Sequence, residues 1–212
     1  MNKTLHYLFD PLCGWCYGAT PTLTTLLDAP GVTVELLPTG LFSGEGARPM
    51  DENFANYAWG NDQRIARLTE QSFTERYREL VLRDSKQFFD SGPATVALTA
   101  VSLTARTKEL VALKSIQRAR FVEGQDITDL QTLASVLGSI ELKEAAVMIK
   151  NPSQDLLDAN RARIAKAQSL MREFNARGVP TFIADNGTKR WMMHTSAIYS
   201  NPQALIDQLN AA

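Results

Sequence analysis

Apolar positions along this chain follow two different rhythms. Near the start, Leu5-His6-Tyr7-Leu8-Phe9 is a short dense run, and Val32-Thr33-Val34-Glu35-Leu36-Leu37 is a second one, rich in β-branched residues. Runs of that length and composition predict strands. Between them, Gly14 to Leu27 reads as a helix that Asp28-Ala29-Pro30-Gly31 breaks. One helix between two strands predicts parallel neighbours joined by a right-handed crossover. Pro21 falls inside this helix, where it removes a backbone hydrogen bond and predicts a kink.

After a glycine-rich loop from Thr39 to Pro49, helical spacing takes over, and no strand is expected between about Met50 and Lys150. Asp62 to Leu82 carries Ile65, Leu68, Tyr77 and Val81 as apolar points. Ser91-Gly92-Pro93 opens another helix, with proline at the tolerated first position. Lys108 to Val122 follows. Thr128-Asp129-Leu130-Gln131 has the form of a capping box, with Gly138 as the expected stop. Ser153 is placed to cap a long helix running to Arg177, with Gly178 just past its end. The rhythm then returns to strands. Val179-Pro180-Thr181-Phe182-Ile183-Ala184 is one, Asn186-Gly187 is a hairpin turn, and Lys189 to Met193 is the returning strand. Asn201-Pro202 starts a last helix through Leu209. The order is β-α-β, a helical block, then α-β-β-α.

The 212 residues suit one large domain or a domain carrying a sizeable insertion. With 22 basic and 23 acidic residues and no basic block, a nucleic-acid partner is not expected. No apolar run approaches the ~20 residues a membrane helix needs. The first strand begins almost at once and no apolar leader precedes it, which makes a cytoplasmic location the expectation. The two cysteines are both in Cys13-Gly14-Trp15-Cys16, at the junction of the first strand and helix.

A C-x-x-C pair in a reducing compartment favours redox chemistry or metal over a structural staple. Thiol–disulfide exchange needs an attacking thiolate and a second thiol to resolve the mixed disulfide. At a helix N-terminus, unpaired N–H groups and the helix dipole stabilise an anion, so Cys13 is the expected exposed, low-pKa nucleophile. Cys16, one turn further in, is the expected resolving thiol. Gly14 would let a substrate approach closely, and Trp15 would offer it an apolar contact and a lid. Half of a zinc site is the rival reading, but zinc needs two more ligands and only His6 and His194 are available. Two inert buried thiols are the other.

The element order, the C-x-x-C at the first helix and the Val-Pro at the third strand together resemble the thioredoxin fold. The helical insertion of roughly a hundred residues resembles the DsbA-like branch. Pro21 is similar to the kinking proline thioredoxins carry at that offset. Asp10-Pro11-Leu12-Cys13-Gly14-Trp15-Cys16-Tyr17-Gly18 resembles the signature of DsbA-family protein-disulfide isomerases and FrnE-like proteins. The resemblance implies an α/β fold in two parts: residues 1–50 and 151–212 as a discontinuous thioredoxin-like domain, and 51–150 as an all-helical insertion. It implies a thiol–disulfide oxidoreductase whose partner is a protein or small-molecule thiol or disulfide, with no metal or organic cofactor and glutathione as a candidate co-substrate. It further implies a cis Val179–Pro180 peptide beside Cys13, with the Val179 backbone pairing with an extended substrate. DsbA itself has Pro-His where this chain has Gly14-Trp15, so the histidine that helps hold the thiolate in strong oxidants has no counterpart here. Several relatives bury a carboxylate proton acceptor in the first strand; here Asp10 lies just past it and Glu35 lies on the second.

Two rival functions stand beside this one. Kappa-class glutathione transferases and 2-hydroxychromene-2-carboxylate isomerases share the architecture but carry serine at the active position. A zinc-stabilised binding module is the non-enzymatic alternative. The remaining candidates take structural readings: His194 as a strand-end residue, Trp191, Met192 and Met193 as hairpin packing, Tyr57 and Trp59 as core with a substrate-lining surface as their alternative, and the Arg161, Arg163 and Lys166 side of the long helix as a solvated face.

Overall fold

The computed structural model describes residues 3–194, 198, 199 and 201–210. Strand β1 (Lys3–Phe9) leads into helix α1 (Gly14–Leu27), which returns the chain to β2 (Val32–Pro38). β1 and β2 run parallel, with His6 opposite Glu35. The register brings His6 Nδ1 to 2.7 Å from Glu35 Oε2. β5 (Thr181–Asp185) lies antiparallel on the other side of β1, and β6 (Arg190–Met192) closes the sheet in the order β2-β1-β5-β6. Gly187, at φ 86°, supplies the left-handed residue that the β5–β6 turn requires.

Successive side chains of a strand point to opposite faces, and both faces of β1 are covered. Leu5, Tyr7 and Phe9 point into the larger core with α1. Leu8 points the other way, with Leu37 and Ile183, onto Ala167 and Leu170 of α8 (Gln154–Glu173). That is why the strand reads as a continuous apolar run rather than an alternating one.

Between β2 and α8 the chain forms a helical layer with one small exception. β3 (Arg48–Pro49) and β4 (Phe88–Phe89) pair antiparallel in a two-stranded ladder, which the sequence did not lead us to expect. The helices are α2 (Glu52–Thr69), α3 (Glu75–Tyr77, continuing as a π turn over Arg78–Leu82), α4 (Gly92–Thr104), α5 (Glu109–Phe121), α6 (Leu130–Ser139) and α7 (Lys143–Met148). The expected single helix from Asp62 to Leu82 is therefore two, parted at Glu70, whose left-handed φ of 59° ends α2. Helix α9 (Pro202–Asn210) follows the sheet.

Several helix ends also move. Asp129 caps α6 by accepting from Thr132 N, while the Thr128 hydroxyl binds Asp126 instead. Left-handed Glu141, not Gly138, follows its end. α8 stops at Glu173, four residues early, because Asn175 takes the left-handed position expected of Gly178. Arg163 does not join a solvated face. It reaches inward to Leu36 O at 2.8 Å and Thr99 Oγ1 at 3.0 Å and pairs with buried Glu109. This ties the long helix to the sheet and to α4, whose residues from Ala94 to Val101 are all buried.

Pro21 sits within a continuous α1. A proline cannot donate to the carbonyl four residues back, here that of Tyr17. Gln71 Nε2 donates to that oxygen instead, at 3.2 Å. The loop after α2 thus supplies the hydrogen bond that the proline withholds.

Candidate active site

The chain leaves β1 at Phe9 and turns on Asp10. This carboxylate is fully buried and accepts three hydrogen bonds, from Leu12 N (2.9 Å), Phe42 N (3.2 Å) and Ser91 Oγ (2.7 Å). Burial raises its pKa, while these bonds and the nearby charge of Arg120 pull it back. Asp10 therefore fastens the loop before Cys13 to the start of α4. The Asp10 carbonyl accepts from Cys13 N at 3.1 Å.

Cys13 is the N-cap residue of α1, with extended backbone and no side chain capping the helix. Its neighbours' N–H groups are left for an anion at the cap. Both cysteines are free thiols. Cys16 is fully buried and Cys13 keeps 9% of its surface, so the expected order of accessibility holds, though Cys13 is less exposed than the sequence suggested. Burial first, then the neighbouring Cys13, push the Cys16 thiol pKa well up. The Cys16 carbonyl accepts from Tyr7 OH at 3.2 Å and Thr20 Oγ1 at 3.1 Å.

Val179 and Pro180 stand across from this pair. Their peptide bond is cis, and Val179 O lies 3.8 Å from Cys13 Sγ. The fold thus brings together Cys13, Cys16, Val179 and Pro180, which are separated by the whole helical layer in sequence. Trp15 is half-buried. Its ring lies 5.3 Å from that of Tyr199 and 5.9 Å from the Arg64 guanidinium, and its carbonyl accepts from Tyr199 OH at 3.3 Å.

Gly14 has a different neighbour from the one expected. A Cβ built on it would lie 2.2 Å from Asp62 Oδ1. Its missing side chain makes room for a carboxyl of the protein itself, and Gly14 also borders the open space beside Cys13 and Trp15.

A cavity of about 360 Å³ opens beside Cys13 and Trp15, with Phe54, Tyr57, Arg48 and Asp62 among its walls. Tyr57 is 69% exposed, so it is a rim residue and not the core residue its aromatic character suggested. Trp59 is half-buried against the core, with the Arg78 guanidinium 5.2 Å from its ring.

Asp62 and Arg120 were not singled out by the sequence as site residues, and Tyr77 was read only as an apolar point of its segment. Tyr77 OH donates to Asp62 Oδ2 at 3.0 Å, and both residues are buried. Arg120, 1% exposed, lies 5.4, 5.3 and 5.7 Å from the rings of Tyr77, Phe89 and Phe121. Its Nε and Nη2 have no hydrogen-bond partner among the described residues. Burial raises the Asp62 pKa to about 7, against the pull of Tyr77 and Arg120. One signal for Asp62 was available. Ala55, Ala58, Asp62, Ile65 and Thr69 fall at alternating spacings of three and four, so an acid occupies the stripe that faces the core.

Among the described residues, no group of three or more His, Cys, Asp or Glu is placed to hold a metal ion. His6 is engaged with Glu35, and exposed His194 exchanges hydrogen bonds with Gln208 through its backbone. No helix among these residues is long and apolar enough to cross a membrane.

Residues 4–198 match the DSBA-like thioredoxin domain family. No curated protein sequence matches the chain. Among solved structures, the chain is similar to the cytosolic disulfide reductase DsbM from Pseudomonas aeruginosa, at 34% identity and a TM-score of 0.86 over 99% of this chain and all of the other. It is also similar to the same reductase with GSH, at 32% identity and 0.84 over the same shares. A putative protein disulfide isomerase from Nitrosomonas europaea matches at 22% identity and 0.81, over all of this chain and 97% of the other.

Proposed function

The chain belongs to the DSBA-like thioredoxin family and is a thiol–disulfide oxidoreductase, and from that premise we propose that Cys13 is its nucleophile, Cys16 its resolving thiol, and reduction of disulfides its working direction. The observation that carries this reading is the asymmetry of the pair. Cys13 borders a cavity and a helix N-terminus, while Cys16 is sealed beneath it.

The Cys13 thiolate attacks one sulfur of a substrate disulfide. That S–S bond breaks, a Cys13–substrate disulfide forms, and the other substrate sulfur leaves as a thiolate that takes up a proton. Cys16 then loses its proton and attacks Cys13 Sγ. The mixed disulfide breaks, the second substrate sulfur leaves and is protonated, and Cys13–Cys16 becomes the disulfide. The substrate gains two electrons and two protons, and the protein loses them. Two equivalents of a thiol such as glutathione restore the dithiol and leave as glutathione disulfide.

Burial of the Cys16 thiol keeps it protonated until the mixed disulfide forms, which separates attack from resolution. Val179, whose carbonyl already lies beside Cys13, offers its backbone to an extended substrate. The absence of histidine between the cysteines favours reduction over strong oxidation, since nothing there specially stabilises the thiolate of the dithiol form. Resemblance to a cytosolic reductase with GSH supports glutathione as the thiol and a cytoplasmic location. Arg48 and Arg64 supply cations beside the cavity for its carboxylates.

Titrating the Cys13–Cys16 pair in glutathione buffers, alongside an assay of disulfide reduction by glutathione, tests the reading. We expect a reducing potential near that of cytosolic thiol pools and turnover that disappears in Cys13→Ser. A potential as oxidising as DsbA, at roughly −120 mV, or turnover that survives the substitution, contradicts it.

A further inference from the structure

We propose that Asp62 is the proton-holding group of this reaction: it takes the proton that Cys13 sheds and returns it to the substrate sulfur that leaves. The inference rests on the reading of Cys13 as nucleophile. Its basis is the placement of the Asp62 carboxyl, which is carried in by α2, seated on Gly14 at the first turn of α1, and shares the cavity wall with Cys13. One oxygen, Oδ2, is fixed by Tyr77 OH. The other, Oδ1, is the atom turned toward Gly14.

Charge bookkeeping in the interior explains why a proton belongs there. Tyr77 from α3 and Arg120 from α5 act on Asp62 directly, while Cys13 of α1, Arg48 of β3 and Tyr57 of α2 share its cavity wall and Arg64 of α2 lies on Trp15. Asp10 also draws on the charge of Arg120. One buried cation thus serves two buried carboxyls. Asp10 has three donors of its own, whereas Tyr77 is the one hydrogen bond shown to Asp62 among the described residues. Asp62 thus has little besides Tyr77 and Arg120 to offset its burial, consistent with its rise to about 7.

An ionised Asp62 and a Cys13 thiolate would stand at the same helix N-terminus, and like charges there disfavour each other. Ionising one therefore raises the cost of ionising the other. The step balances without an outside base: Cys13–SH and Asp62–COO⁻ become Cys13–S⁻ and Asp62–COOH. The thiolate attacks, and the leaving thiolate takes the proton of Asp62–COOH.

Two rates measured on the same proteins test this. The first is alkylation of Cys13 by iodoacetamide from pH 5 to 9, in a Cys16→Ala background with and without Asp62→Asn. The second is formation of the Cys13 mixed disulfide from glutathione disulfide at pH 6. With Asp62 present, alkylation should show an inflection near pH 7. Asp62→Asn should abolish it and speed alkylation about threefold to tenfold above pH 8, since a like charge is gone. The same substitution should slow mixed-disulfide formation several-fold, because the proton donor is gone. A packing defect would not drive the two rates in opposite directions. Superimposed alkylation profiles, or rates that move together, overturn the proposal. If Asp62→Asn does not fold, Tyr77→Phe replaces it. Removing the bond that favours the carboxylate should move the inflection upward, and an unmoved inflection overturns the proposal. If Cys13 forms no mixed disulfide even with Asp62 present, the functional reading itself has failed, which is a different result.

Discussion

Of the two residues between the cysteines, Gly14 has a neighbour that its type does not suggest. Glycine in a redox motif reads as open space for a substrate, yet Gly14 is small because Asp62 occupies the place of a Cβ. Gly14→Ala should force that carboxyl off its Tyr77 bond or push α2 from α1, at about 1–3 kcal/mol in chemical denaturation. The cost should shrink when Asp62→Ala is combined with it, and a double-mutant cycle reads that coupling. Asp62 itself should cost stability as pH rises. Its pKa is raised from 3.8 when unfolded to about 7 when folded. The folded protein binds the proton more tightly, so stability falls between those values and is level above them. Asp62→Asn should therefore be more stable than the natural protein at pH 8, by about 1–4 kcal/mol in urea titration, and close to it below pH 4. Glu35 behaves in the opposite sense. The His6 hydrogen bond leads in lowering its pKa to about 2, so its contribution is lost as pH falls from 4.5 toward 2.

At the scale of elements, the N-terminal half of α1 is held by parts of the chain that arrive later. Asp10 and Ser91 fix its approach, and Gln71 supplies the donor that Pro21 withholds. Gln71→Leu should leave the Tyr17 carbonyl without that donor and cost about 1–2 kcal/mol, read as a lower urea midpoint at unchanged slope. The local signals for α1 were plain in the sequence because they are local: two cysteines at a strand–helix junction, and a four-residue break after Leu27. Helix ends in the middle of the chain were less legible. Asn175 and Glu141 take left-handed conformations where glycines stood nearby as the obvious candidates. The β3–β4 ladder left no alternating pattern, since it is only two residues long. Arg163 looked like surface because arginine usually is, and its inward turn depends on Glu109 from a helix far away in sequence.

For the whole molecule, the helical layer does more than cover the sheet. It supplies the cavity wall, the carboxyl seated on Gly14 and the buried cation beneath it, while the sheet half supplies the sulfurs and the Val179 carbonyl. Chemistry carried by rare residue types at fixed spacing was readable from the sequence, as was the element order that brings Val179-Pro180 back to Cys13. The Asp62–Tyr77–Arg120 group was not, because an aspartate among charged neighbours becomes unusual only when three-dimensional packing buries it. The division of labour between the cysteines is the claim on which all of this depends. Mass spectrometry of the single-cysteine variants with a disulfide substrate tests it most directly. Cys16→Ala should accumulate a stable mixed disulfide on Cys13, and Cys13→Ala should accumulate none on Cys16. Equal trapping on both sulfurs, or trapping on Cys16 alone, would contradict it.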